Sequence, residues 1–189
     1  MDTQAGHPVQ AERMSNRRLI AFSGKAGSGK TTVANYLGAK GFLRLKFADG
    51  IKSMLACFGL GLAEIEGELK EIPCALLNGK TPRFAMQTLG TEWGRKLISP
   101  NIWVTRWKHA AADCLIDERS VVTDDVRFQN EVDAVRSLGG IVVHIIRPEL
   151  AEIPENTHLS EKMELKHDHV ILNNGTTTEL FEKIEKLLQ

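Results

Sequence analysis

The chain has 189 residues, with 24 Lys+Arg against 24 Asp+Glu and therefore a formal net charge of zero. Charged residues make up 25% and hydrophobic ones 42%, the balance of an ordinary globule that can bury its own core. The length suits one domain with room for a small inserted lid. The charge balance argues against a protein that coats duplex nucleic acid, and the longest apolar runs fall far short of a membrane span.

Residues 1–16 are polar, lack periodicity and contain no apolar signal core, so they are expected to be a disordered leader ahead of a domain over 17–189. Leu19-Ile20-Ala21-Phe22 predicts a short buried strand over 19–23. Directly after it, Gly24-Lys25-Ala26-Gly27-Ser28-Gly29-Lys30-Thr31 fits G-x-x-x-x-G-K-[ST], and a helix is expected over 30–40. The glycines let the backbone curl so that successive N–H groups point inward at phosphate oxygens, and the helix adds its positive N-terminal end. This motif predicts ATP binding by residues 24–31 together with Thr32. Lys30 is expected on the β- and γ-phosphates, and the Thr31 hydroxyl on Mg²⁺.

Gly41 closes that helix, and a second strand is expected over 42–47. Asp49 follows either as the cap of a helix ending near Gly59 or as a contact to an acceptor. Residues 63–71 read as a helix that is acidic on one side, and Pro73 and Asn78-Gly79 as a loop. Thr81-Pro82 opens a helix to about 98, with Thr81 as N-cap and proline at the first helical position. Ser99-Pro100-Asn101 restarts another to about 115. A strand over 120–123 runs into Asp124-Asp125, a helix covers about 129–138, and the apolar run Ile141 to Ile146 predicts a strand buried on both faces. Residues 147–167 are polar and irregular and read as a lid. A short strand over 169–172 and an amphipathic helix over 177–188 complete the chain. This alternation predicts a P-loop α/β fold of three layers, α/β/α, with a mostly parallel central sheet. The three cysteines, Cys57, Cys74 and Cys114, form neither a metal-ligand pattern nor a disulfide framework and are expected to be reduced packing residues in a cytoplasmic protein.

Phosphoryl transfer needs a metal anchor, neutralising cations and an oriented acceptor besides the cradle. The acids Asp124 and Asp125 stand where such a fold places its Mg²⁺-coordinating or water-orienting carboxylate, at the carboxyl end of a neighbouring strand. Arg127 and Glu131 follow them. Arg83 and Gln87, four apart, share one helix face; the arginine fork suits a phosphate and the glutamine amide a base edge or sugar. Gly90 and Gly94 inside a helix cost about 1 kcal/mol each against alanine, so something is expected to approach closely there. Trp93, Trp103 and Trp107 can stack on a base or fill a core. Arg147 opens the polar stretch, where a basic residue can fold over the transferred phosphate, and His144 reads as a core or strand-edge residue.

These residues resemble the deoxynucleoside monophosphate kinases of tailed phages and prophages. The resemblance covers roughly residues 18–189. It rests on the phosphate loop, on Thr81-Pro82-Arg83…Gln87-Thr88-Leu89-Gly90-Thr91-Glu92-Trp93-Gly94-Arg95 running into Ile102-Trp103-Val104, on Asp125-Val126-Arg127-Phe128…Glu131, and on Asn173…Gly175-Thr176. It implies transfer of the ATP γ-phosphate to a deoxynucleoside monophosphate, on an adenylate-kinase-like fold with an acceptor region (about 50–115) and a lid. It implies that Arg83 and Gln87 face the acceptor, that Trp103 stacks near its base, and that Asp125, Arg127 and Glu131 contact sugar, phosphate or base. With the readings above, catalysis is expected of Lys30, Arg127, Arg147 and Asp125, acceptor binding also of Asp49 and Trp93, and metal binding of Thr31 and Asp124. Partners are expected to be nucleotides, with no nucleic acid and no membrane; a homodimer stays open. Two other readings remain: a small-acceptor kinase resembling dephospho-coenzyme A kinase, and an ATP-binding regulatory module that hydrolyses without an acceptor.

Overall fold

The computed structural model describes residues 18–150 and 165–189. The expected leader (1–16) lies outside these residues, as does most of the expected lid (147–167). The chain divides into two compact units, one formed by residues up to Leu45 and from Ala110 onward, the other by Lys46–His109.

The first unit is built on a five-stranded sheet, all parallel, in the order β2-β3-β1-β4-β5. The strands are β1 (Leu19–Ser23), β2 (Leu43–Arg44), β3 (Val121–Thr123), β4 (Ile141–Ile146) and β5 (His169–Leu172). All five residues of β1 are buried, as its central place requires. Side chains of alternating parity point to opposite faces. Ile20, Phe22, Val122, Val143 and Ile145 pack with Val33 and Leu37 of helix α1 (Lys30–Ala39) and with Leu180 and Ile184 of the C-terminal helix (Thr177–Leu187). The helix Gln129–Ser137 packs on β1 and β4 and buries Val132 and Val135. Helices on both faces give the expected three layers. The C-terminal helix is fixed at its start by Thr176, whose hydroxyl accepts from the Glu179 N–H at 3.3 Å while the Glu179 carboxylate accepts the Thr176 N–H at 2.9 Å.

The second unit is helical. It holds α2 (Asp49–Cys57), α3 (Leu62–Ile65), a 3₁₀ turn over Glu68–Glu71, another over Ala75–Leu77, and α4 (Pro82–Gln87). Its apolar centre is Leu55, Leu60 and Ile65, with Ile51, Met86 and Leu89 against them. Thr81 caps α4 as expected, its hydroxyl accepting the Phe84 N–H at 3.1 Å.

Four expected elements differ from the structure. The strand expected over 42–47 is hydrogen-bonded as a strand only at Leu43–Arg44, since the chain turns at Lys46 into α2. Asp49 lies in the first turn of α2 rather than at its N-cap, which is Ala48, and its carboxylate reaches back to the Lys46 N–H at 2.8 Å. The helix expected over 63–71 is broken at Gly67 into α3 and the 3₁₀ turn. The single helix expected over 81–98 changes after Gln87 into a π-helix over Thr88–Ile98.

The π-helix explains its glycines. A Cβ on Gly94 would lie 2.6 Å from Cζ2 of Trp103, and one on Gly90 would lie 2.9 Å from Cδ1 of Ile51. The close approach is therefore by side chains of the same unit. Gly94→Ala is expected to destabilise the protein by about 1–2 kcal/mol: so short an approach puts overpacking in the upper part of its range, about 2–3 kcal/mol, and the gain in helix propensity returns about 1. Thermal unfolding should fall by roughly 2–8 °C. An unchanged melting temperature would show that the indole has space to move away.

Candidate active site

In a parallel sheet all carboxyl ends lie on one edge, and here four of the five strands deliver a polar side chain to that edge while β1 delivers the glycine loop. The groups are Arg44 at the end of β2, Asp124 just after β3, Gly24 just after β1, Arg147 just after β4 and Asn173 just after β5.

The phosphate loop occupies the end of β1. Gly24, Gly27 and Gly29 have φ of 136°, 77° and 108°, a region costly for residues with a Cβ. At Gly24 a Cβ would also run into the Ile145 carbonyl oxygen, so the loop can lie against β4 only with glycine there. Gly29 forms the N-cap of α1 in the left-handed conformation, which leaves the first amides of the helix facing the loop. Lys30 Nζ donates to the carbonyls of Gly24 and Lys25, each at 2.6 Å, and so lies across the loop. Lys25 Nζ donates to the Leu150 carbonyl at 3.0 Å, and Asn173 Nδ2 to the Ser28 carbonyl at 2.9 Å, tying the loop to the ends of β4 and β5. Ser28 is buried, whereas Ala26, Gly27, Thr31 and Thr32 are exposed. Beside the loop lies a cleft of about 290 Å³ lined by Gly27, Lys30, Thr31, Thr32, Arg147 and Asn173 among others, which accommodates polar groups more readily than apolar ones.

Thr31 and Asp124, expected as the metal pair, meet: the Thr31 hydroxyl donates to Asp124 Oδ2 at 3.0 Å. Asp124 is 5% exposed and receives a second partner that the sequence did not single out. Arg44 holds both carboxylate oxygens, Nε to Oδ1 at 2.9 Å and Nη2 to Oδ2, and donates Nη1 to Asn35 Oδ1 at 2.9 Å. The fork explains how a carboxylate persists at such burial. Of the two adjacent acids, Asp124 is the one turned to Thr31, and Asp125 is half-buried.

Glu131 is 2% exposed and caps the helix Gln129–Ser137, accepting the Phe128 N–H at 3.1 Å and the Arg127 N–H at 2.7 Å. Arg127 is exposed. Arg147 is about half-exposed and pairs with Glu149 at 2.8 Å. His144 and Ser23 meet across β4 and β1, Nδ1 to Oγ at 2.9 Å, and the His144 ring stacks on His167 with centroids 4.8 Å apart. Burial, then the neighbouring charges of His167 and Lys30, holds His144 below its ordinary pKa, so the ring under the loop stays neutral at neutral pH. The reading of His144 as a strand residue missed this pairing.

In the second unit, Arg83 Nε is 2.7 Å from Glu71 Oε1, and Gln87 is exposed one turn further on. Trp93 is exposed and lies 6.2 Å, centroid to centroid, from Trp103. Trp103 is 4% exposed, and its Nε1–H donates to the Gly90 carbonyl at 2.9 Å. Such burial makes Trp103 a packing residue here rather than an open stacking surface, whereas Trp93 keeps an accessible ring. Trp107 is fully buried against Phe47, with ring centroids 4.4 Å apart.

The family model for deoxynucleotide monophosphate kinase matches residues 63–184. A protein of Acanthamoeba polyphaga mimivirus assigned as a deoxynucleotide monophosphate kinase is 37% identical over 185 residues, covering 88% of this chain and 93% of that one. The deoxynucleotide monophosphate kinase of Enterobacteria phage T4 is 34% identical over 113 residues, 57% of this chain and 45% of the phage protein. Among solved structures, a kinase assigned in Chloroflexus aurantiacus superposes with a TM-score of 0.52 at 14% identity, over 92% of this chain and 97% of that one, a likeness of fold.

Proposed function

From the premise that the chain belongs to the deoxynucleotide monophosphate kinase family, we propose that it transfers the γ-phosphoryl group of ATP to a deoxynucleoside monophosphate, yielding ADP and a deoxynucleoside diphosphate. The observation that carries this reading is the Thr31–Asp124 contact beside a glycine loop crossed by Lys30. It supplies an anion cradle, a mobile cation and two hard oxygen ligands in one place.

ATP rests its phosphates on the loop amides and the start of α1, and Lys30 exchanges the Gly24 and Lys25 carbonyls for β- and γ-oxygens. The Thr31 hydroxyl and the Asp124 carboxylate have the hard-oxygen chemistry that Mg²⁺ takes and would hold it; when bound, it neutralises charge on the β- and γ-phosphates. Arg44 orients the Asp124 carboxylate and supplies its counter-charge. Arg83 and Arg127 hold the acceptor phosphate, Gln87 and Trp93 contact its nucleoside, and Asp125 orients its sugar or phosphate. An acceptor phosphate oxygen attacks the γ-phosphorus while the bond from that phosphorus to the bridging oxygen breaks, and ADP carries that oxygen away. The attacking phosphate has its second pKa near 6, so at neutral pH it needs no protein base. Arg147 lines the nucleotide cleft and neutralises charge developing on the transferred group. The protein is expected to act in a cytoplasm on free nucleotides; among the described residues no helix is long and apolar enough to cross a membrane.

The test is ADP release from Mg-ATP against dAMP, dGMP, dCMP, dTMP, their ribo-counterparts, dephospho-coenzyme A, and no acceptor. Stimulation by one or more deoxynucleoside monophosphates is expected. Release without an acceptor, or stimulation only by dephospho-coenzyme A, would overturn the reading. Arg83→Ala should raise the acceptor KM roughly tenfold or more and leave the KM for ATP nearly unchanged, because it removes a charge-assisted contact to one substrate only. Unaltered acceptor kinetics would remove Arg83 from the site.

A further inference from the structure

The second unit gathers positive charge that no motif accounts for. Lys46 leads into α2, Lys52 lies on it, Lys70 sits in the 3₁₀ turn Glu68–Glu71, and Arg83 is in the first turn of α4. Two of these cations meet on one carboxylate: Lys46 Nζ is 3.3 Å from Glu66 Oε1, and Lys52 Nζ bonds the same oxygen. Arg83 pairs with Glu71. The Lys46 and Lys52 side chains are only 17% and 16% exposed, far less than is usual for lysine.

The charges do not pair one to one. Lys46, Lys52 and Arg83 meet only two carboxylates, Glu66 and Glu71. Of the neighbouring acids, Asp49 accepts the Lys46 N–H at 2.8 Å and Glu64 the Gly61 N–H at 2.9 Å, while Glu68 stands exposed in the turn that holds Lys70. Lys70 lies within the field of the other three cations. Burial, then the charge of Arg83, and after them Lys52 and Lys46, hold its ammonium below the ordinary lysine range against the pull of Glu66. At Glu66 burial pushes the carboxyl up, but Lys52 and then Lys46 outweigh it and leave the group below its ordinary value. A stabilising surface network gains most by pairing its charges one to one, whereas here Lys46 and Lys52 share a single carboxylate oxygen. A phosphate monoester carries about −1.5 to −2 at pH 7.

We propose that Lys46, Lys52, Lys70 and Arg83 form the seat for the phosphate of the acceptor nucleotide, with Glu66 the counter-ion that this phosphate displaces from the lysines. This rests on the kinase reading above and assigns three lysines to it. Three ammonium groups act as point charges on a tetrahedral anion, and the Arg83 fork adds a bidentate contact. Recognition is directed at the phosphate, so the uncharged nucleoside gains nothing from the seat.

Calorimetric titration of the full chain with the four deoxynucleoside monophosphates, and with the matching nucleosides, tests this without turnover. Wild type is expected to bind at least one monophosphate roughly tenfold or more tightly than its nucleoside. Lys52→Gln and Lys70→Gln should each lose roughly tenfold in monophosphate affinity and keep their ATP affinity. Lys96→Gln should change neither, since exposed Lys96 pairs with Glu92 on its own helix. Glu66→Gln reads in the opposite direction: it removes the competing anion and should tighten monophosphate binding severalfold, an outcome that survives if a lysine variant fails to fold. Full monophosphate affinity in both lysine variants, or weaker binding in Glu66→Gln, would overturn the seat while leaving the kinase reading intact. A wild type that binds none of the monophosphates would overturn both.

Discussion

Lys30→Ala is expected to lower kcat for phosphoryl transfer roughly a thousandfold, a loss of about 4 kcal/mol of transition-state stabilisation. The size follows from what the ammonium does. Its two 2.6 Å bonds to the Gly24 and Lys25 carbonyls hold it across the loop, so little reorganisation is needed to bring it onto the β- and γ-oxygens. Alanine leaves those oxygens with backbone amides and no mobile charge. Single-turnover transfer at saturating Mg-ATP measures the chemical step without the contribution from weaker binding. The fold should persist, because Gly24, Gly27 and Gly29 set the loop shape through their own backbone conformations. A variant that kept more than about a tenth of the wild-type rate would remove Lys30 from the chemistry.

Asp124→Asn should separate the two adjacent acids. Asparagine keeps the shape but loses the charge that Thr31 and Arg44 address. The expected kcat loss is roughly a hundredfold or more, relieved in part by high Mg²⁺ because a weakened ligand set still binds the ion at mass-action excess. The same change leaves the Arg44 guanidinium, about one quarter exposed, without its counter-charge. Removing one partner of a fully buried pair costs about 3–5 kcal/mol, and partial exposure reduces this to roughly 1–3. Asp125→Asn should instead act on the acceptor, raising its KM with little change in Mg²⁺ dependence. If Asp125→Asn shifted the Mg²⁺ requirement and Asp124→Asn did not, the two roles would exchange.

The phosphate loop was legible because its chemistry is local: eight consecutive residues carry both the turn and the cation. The strands of the first unit were legible for a similar reason, since runs such as Ile141–Ile146 have no polar face to offer solvent. Arg44 was not. It acts through Asp124, 80 positions away, and that meeting depends on β2 lying beside β3, an adjacency that strand order alone decides. An arginine ending a strand near a buried acid was the available signal. The three lysines were missed because they fall in segments read as a strand (42–47) and two helices (49–59 and 63–71), which share no period. The change from α- to π-helix at Thr88 is likewise invisible to a 3.6-residue pattern, although Gly90 and Gly94 marked where the packing is tight. For Trp103, the sequence offered core and base-stacking roles alike. Its burial and its bond to the Gly90 carbonyl give it a packing role, and no spacing rule distinguishes the two.

The order of the sheet has a consequence for how the chain is made. Leu19 pairs with Val121 and Ile20 with Ile141, so the neighbours of β1 leave the ribosome about a hundred residues after it. At roughly 5–20 residues per second, the strand Leu19–Ser23 waits about 5–20 s with its apolar side chains in water and without its sheet partners. No hairpin can form meanwhile, because every pairing in the sheet is parallel. The nascent protein therefore leaves exposed, for all that time, the strand that the finished sheet buries completely, an interval in which aggregation competes with folding.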